Sequence, residues 1–345
     1  MSLSRHLAPL VAATLLAGAH QAAGPAAGRP SAFAAGIEAL SEPAGYFDTD
    51  NLISNERSYP EVLPLLDPAP LRGGAYVGVG PDQNFSYIAR LRPSIAFIVD
   101  IRRDNLLLHL LFKALFAQAA DRGDYLAALF GRAPPGAPEL RAGASIARLA
   151  AYIESHPADR RTVDEIRRRT DAAILRYGIP LTAADLATIG RFHRAFIDAG
   201  LDLRFRSAGR PPQSWYPTYR DLLLATTREG APASFLGSEE SFQFVKSLQA
   251  RDLVIPVVGD LAGPTAVRAI GRELAGRHLR LAAFYTSNVE FYLARSGTFE
   301  AFEANLVSMP RLPGAVIIRA VFGRFEGGSR SVVQAIDELV PAARR

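Results

Sequence analysis

Gly78, Gly80 and Asp100 are the residues whose types and spacing say most about chemistry. They fall in GAYVGVGPDQNFSYIARLRPSIAFIVDIRRDN, residues 74–105, which reads as an apolar strand, a glycine turn, a helix and a second apolar strand ending in an acid. Glycines allow a tight turn and close backbone approach to a ligand, and a carboxylate about 20 residues further on accepts hydrogen bonds from ribose hydroxyls. The pattern predicts a nucleotide-type ligand site.

In an open α/β sheet such a ligand binds beyond the carboxyl ends of the strands, at the switch point beside the first strand. The strand ends supply the candidates: Gly78, Gly80, Pro81 and Asp82; Asp100, Arg102 and Arg103; Gly259, Asp260 and Gly263; Tyr285, Thr286, Ser287, Asn288 and Glu290. Asp260 suits an exocyclic amine donor, and Asn288 offers both a donor and an acceptor. Asp260 also precedes Gly263 and Pro264, as a helix N-cap does. Upstream, Asp48, Asp50, Asn51, Ser54, Asn55 and Glu56 crowd together just before the first strand. They can cap helices or fold over the mouth of the crevice.

Other constellations point to packing. His109 and His193 lie on apolar helical stretches as core imidazoles, and Trp215, Tyr216 and Tyr219 either line a far pocket wall or pack an insertion onto the core. There is no cysteine, no H-E-x-x-H and no G-x-S-x-G, which excludes thiolate chemistry and gives no support to zinc-protease or serine-elbow readings.

The elements that must position these groups follow from periodicity. Strands are expected at Gly74 to Val79, Ile95 to Asp100, 252–260, from 278 into the polar turn near 287, and 314–322, separated by helical patterns. The rhythm breaks after Asp124, where a helical insertion over 125–237 is predicted, and a last helix is expected at SVVQAIDELV. The organisation predicted is a leader at 1–23, a linker at 24–35, a cap with the first half of the sheet domain at 36–124, the insertion, and the second half of the sheet at 238–345. The fold class is α/β: an open, mostly parallel Rossmann-like sheet with helices on both faces.

The 345 residues carry a net charge of +5, almost wholly from arginine, since Lys113 and Lys246 are the only lysines. Arg160, Arg161, Arg167, Arg168 and Arg169 alternate with acids over a helical stretch, as on a solvated helix face. Nucleic-acid binding gains no support. The first 23 residues have a basic start at Arg5, a short apolar run and small residues suited to cleavage, which predicts a secretory signal peptide and a periplasmic or secreted protein; if the leader is not used, the chain is cytoplasmic.

The chain resembles the class I S-adenosylmethionine-dependent methyltransferases over about 74–105 and 240–323. The resemblance rests on GVG in the glycine loop, IVDIRRDN as the acidic second motif, VVGD as the third and YTSNVEFYL in the slot of the fourth. It also looks like an uncharacterised bacterial family of that fold, sharing DNLISNE, YVGVGPDQNF, PVVGDLAGP and FYTSNVEFYL. The resemblance implies S-adenosylmethionine held by Gly78, Gly80, Asp82, Asp100, Arg102, Gly259, Asp260 and Ser287, with Asp82 near the methionine end. The fourth motif lacks the Asn/Asp-Pro-Pro-aromatic sequence of amino-methylating enzymes, so base methylation is not implied.

The reading is a methyltransferase-like protein acting on a small-molecule acceptor, with Asn288 orienting the acceptor and Glu56 or Glu290 as base. An exported leader would separate such an enzyme from its cofactor, so the alternative is a non-enzymatic ligand- or partner-binding protein that keeps the fold. A nicotinamide-dependent oxidoreductase is disfavoured because G-x-G-x-D lacks the third glycine.

Overall fold

The computed structural model describes residues 31–66, 69–141, 143–207, 213–323 and 329–340; the expected leader lies outside them. Among the described residues six strands form one sheet: β1 (Ala75–Val79), β2 (Ile95–Asp100), β3 (Val254–Val258), β4 (Leu281–Ser287), β5 (Arg311–Phe322) and β6 (Ser329–Ala335). Their order is β3-β2-β1-β4-β5-β6, parallel except for the antiparallel edge strand β6. This is the open, mostly parallel α/β sheet that the sequence predicts. Strands β1 to β3 are buried along nearly their whole length, as a sheet covered by helices on both faces requires.

The order reverses between β1 and β4, which pair with each other in the centre. Helices Gln83–Leu91 and Arg103–Gln118 follow β1 and β2, and Ala266–Gly276 and Val289–Ser296 follow β3 and β4. Their N-terminal ends therefore converge on one edge of the sheet.

The end of the chain departs from expectation. Apolar Val332, Val333, Ile336, Leu339 and Val340 have helical spacing, yet 329–335 is strand β6 and only Ile336–Leu339 is helical. Adjacent β-branched valines fit a pleated edge, and register with β5 from Val316↔Ala335 to Phe322↔Ser329 supplies the ladder that a short isolated helix lacks.

Between β2 and β3 the chain is helical, with Arg122–Leu129, Ile146–Ser155, Arg160–Arg176, Ala183–Ala199 and the short Tyr219–Leu224 before Glu239–Ala250. These helices share one apolar core with the sheet, through rings such as Phe116, Phe130, Phe196 and Phe242. Arg103, just past the tip of β2, chelates Asp185 at 2.9 and 3.1 Å and so ties the sheet to Ala183–Ala199. That guanidinium holds the Asp185 carboxyl down at about 2. His193 packs in this layer against the Ala128 carbonyl at 3.0 Å, and burial lowers its proton affinity. On Arg160–Arg176 the arginines pair with Glu165 and Asp164 on an exposed face.

The segment before β1 is laid along the strand ends. Helix Ala32–Leu40 is capped by Ser31, the Glu42 amide bonds Val258 O, and the Gly45 amide bonds Ile101 O. Among the described residues no helix is long and apolar enough to cross a membrane.

Candidate functional site

The turn after β1 is built from inside. Asn84 donates to the carbonyls of Val79 and Pro81 at 2.8 and 2.7 Å and accepts from the Tyr76 hydroxyl at 2.8 Å. His109 Nε2 meets the intervening Gly80 carbonyl at 2.9 Å. Three successive carbonyls are thus pinned from below. Gly80 has φ +80°, which glycine adopts without steric cost. Gly78 serves a different purpose from the one its motif implies: a Cβ there would lie 2.0 Å from Asn84 Oδ1 and 2.6 Å from the Tyr76 hydroxyl. It admits the bracing side chains and does not line the crevice.

Above the turn lies a cavity of about 810 Å3 at the carboxyl ends of β1 to β4. The structure brings Gly80, Asp100, Arg102, Gly259, Asp260, Ser287 and Asn288 to its walls, so all four predicted strand tips meet there. Asp48, Asn51, Ser54 and Asn55 from the upstream segment close one side, and Trp215 and Tyr216 another. Tyr219 is absent from this wall because its ring packs against Phe130 and Phe196.

Asp100 is engaged by its neighbour. Oδ1 accepts from the Arg102 amide and Nε, both at 2.9 Å, and Oδ2 accepts from Nη2 at 2.7 Å. Arg102 Nη1 also reaches Thr49 O at 2.7 Å, fastening the upstream segment over the crevice. A carboxylate has about four lone-pair positions, and three are taken, so Oδ2 keeps one for a ligand hydroxyl. Asp260 Oδ1 accepts from the Ala262 amide at 2.9 Å, which makes it a turn cap as well as a wall residue. Glu42 holds the turn after β3 and the start of Ala266–Gly276, its carboxylate accepting from Asp260 N, Thr265 N and Ala266 N at 2.7, 3.2 and 3.3 Å.

Besides Gly78, three expected site residues, Asp82, Glu290 and Glu56, lie off the cavity wall. Asp82 faces away from the crevice, among Tyr59 and Tyr219, and accepts from the Tyr219 hydroxyl at 2.9 Å. Burial pushes its carboxyl up to about 6, against the pull of that hydrogen bond. Glu290 is buried and committed to Arg319, whose Nε lies 3.0 Å from Oε1, and to the Thr286 hydroxyl at 2.7 Å. It is a structural ion pair rather than a base facing an acceptor.

Glu56 is only 1% exposed and lies under the cavity floor. It accepts from Ser287 Oγ, and Gln83 Nε2 lies 3.4 Å from Oε2. The same Gln83 nitrogen is 3.0 Å from the Tyr285 hydroxyl and 3.1 Å from that of Tyr87. Burial raises the Glu56 pKa, partly offset by hydrogen bonds from Ser287, Tyr285 and Gln83. Ser287 has φ +52° at the tip of β4, left-handed for a non-glycine residue, and it faces the cavity with its hydroxyl on Glu56. Gln83, Asn84 and Tyr87 were not among the sequence candidates. Polar side chains on a helix that buries eight of its nine residues were the available signal.

No protein with curated annotation matches the chain. Residues 52–139 and 206–336 match the model of a family described as a domain of unknown function (DUF7790). These two segments, well over half the chain, contain β1 to β6, the crevice tips and the Glu56 network, and the chain belongs to the DUF7790 family.

Proposed function

We propose that the chain binds S-adenosylmethionine in the strand-end cavity and acts as a methyltransferase-like protein on a small-molecule acceptor. The observation that carries this reading is the convergence of the four polar strand tips on one cavity, about 810 Å3 in volume, at the point where strand order reverses.

The wall residues fit an adenosine-type ligand. Gly80, locked by Asn84 and His109, gives close backbone approach, and Asp100 Oδ2 offers one remaining acceptor position for a ribose hydroxyl. Asp260 keeps its second oxygen for an exocyclic amine. Asn288 and Ser287 lie on the β4 side, where they would orient an acceptor. Bound there, the cofactor supplies an electrophilic methyl group on a sulfonium. The chain's task is then alignment of a nucleophile and, for some acceptors, removal of a proton.

The test is calorimetric titration of the protein with S-adenosylhomocysteine, with an Asp100→Ala variant and a nicotinamide dinucleotide as controls. Micromolar binding that is lost in the variant supports the reading. Failure to bind either ligand replaces it with a protein that keeps the fold as a scaffold for another partner.

A further inference from the structure

We propose that Ser287 and Glu56 form a proton relay that ionises a bound hydroxyl, so that the acceptor of this site is an alcohol or phenol on an apolar, ring-sized body. The inference deepens the methyl-transfer reading and rests on it for the acceptor's role.

The geometry separates the two members of the relay. Ser287 borders the cavity, whereas Glu56 lies beneath the floor with Ser287 Oγ bonded to its carboxylate; Tyr285, which also lines the cavity, is a second hydrogen-bond partner of that carboxylate. A serine held at φ +52° is sparsely populated, and such conformations persist where the surroundings over-determine them. Here the left-handed turn puts the hydroxyl between the cavity and the carboxylate. Around Glu56 the hydrogen-bonding groups are the neutral hydroxyls and amide of Ser287, Tyr285 and Gln83, so the carboxylate gains acceptor contacts while burial strengthens its hold on a proton. That is the setting of a general base.

The transfer conserves charge and atoms. The ligand's O–H proton passes to Ser287 Oγ, and the Ser287 proton passes to Glu56 Oε1. The ligand is left as an oxyanion and Glu56 as the neutral acid.

The substrate class follows from which nucleophiles need this help. A neutral amine already presents its lone pair, and a carboxylate is ionised in water. A hydroxyl is a weak nucleophile until its proton is taken. The cavity's other wall, formed by Phe47, Phe205, Trp215, Tyr216 and Tyr292, suits an apolar ring; Phe47 and Tyr292 already meet edge to face at 4.8 Å.

The probe is 4-nitrophenol, whose absorbance distinguishes phenol from phenolate, titrated into the full chain in the presence of S-adenosylhomocysteine at a pH below the probe's own pKa. We expect the bound probe to show the phenolate band in the wild type. In Glu56→Gln and Ser287→Gly the probe should bind but remain a phenol, its apparent pKa raised by about one unit or more, a tenfold change in ionised fraction. The glycine variant relaxes the left-handed backbone, so loss of the band there is not a consequence of strain. An unchanged spectrum in both variants, or a probe that does not bind, overturns the relay. S-adenosylhomocysteine binding with an un-ionised probe sinks the relay alone; an ionised probe with no S-adenosylhomocysteine binding supports the relay and sinks the methyl-transfer reading.

Discussion

His109 meets the Gly80 carbonyl through Nε2 at 2.9 Å from within the helix that follows β2, so a core imidazole braces the floor of the strand-end crevice. To donate to a carbonyl, Nε2 must carry the proton, and burial lowers the ring's pKa to about 4.

This contact gives a paired pH prediction with Asp82, two residues from Gly80. A histidine whose folded pKa falls from 6.5 to about 4 loses stability as pH drops through that window, because the unfolded chain binds the proton better. An aspartic acid whose folded pKa rises from 3.8 to about 6 loses stability as pH climbs, because the folded chain holds the proton better. From pH 4 to 6 the two slopes oppose, each at most about 1.4 kcal/mol per pH unit. Denaturant titrations should show Asp82→Asn gaining stability with pH across this range and His109→Gln losing it. Parallel profiles in the two variants would refute the assignment.

The second prediction concerns Gly78. An alanine there places its Cβ 2.0 Å from Asn84 Oδ1, so the side chain that pins Val79 and Pro81 must move. The expected loss is about 1–3 kcal/mol, the usual cost of overpacking. Since both changes disrupt one bracket, Gly78→Ala combined with Asn84→Ala should destabilise by clearly less than the sum. Strict additivity in chemical denaturation would mean that Gly78 does not act through Asn84.

How much of this was legible in sequence depends on distance along the chain. Apolar strands ending in Gly80, Asp100, Asp260 and Ser287 were readable because a strand tip is a local property, and the sheet gathers tips at one edge. The direction of a side chain at a tip is not local. Asp82 faces away from the crevice because it is bonded to Tyr219, 137 residues later, and Glu290 is taken by Arg319 on β5. Glu56 was singled out for its type, but its place beneath Ser287 depends on a contact across 231 residues. Strand β6 was misread because valines at helical spacing cannot announce an available sheet edge.

Third, the Arg102–Asp100 pair should behave as a buried ion pair, since both side chains are under 10% exposed. Arg102→Met leaves an uncompensated carboxylate and should cost about 3–5 kcal/mol, whereas the double variant Arg102→Met, Asp100→Leu should recover a large part of the loss. Thermal and denaturant unfolding of the three proteins read this directly. A double variant as unstable as the sum of its parts would show that the two residues are stabilised independently.

Last, Glu42 ties the upstream segment to the helix behind β3. Its carboxylate accepts from the Thr265 and Ala266 amides at the start of Ala266–Gly276, where helix polarity favours negative charge, and from the Asp260 amide in the turn after β3. Gly263 leaves the space it needs, because a Cβ there would be 2.3 Å from Oε1. Glu42→Ala should therefore lose about 1–2 kcal/mol, with Glu42→Gln between it and the wild type because the amide keeps an acceptor but not the charge. Gly263→Ala should expel the carboxylate and mimic Glu42→Ala, so adding it to that variant should change little. A full additional loss in the combined protein would mean that the glycine is needed for a reason other than room for Glu42. The ordering matters for the crevice as well, since the segment running on from Glu42 supplies Asn51, Ser54 and Asn55 to its wall and Thr49 to Arg102. Loosening Glu42 should thus raise hydrogen exchange along 42–56 before it affects the sheet.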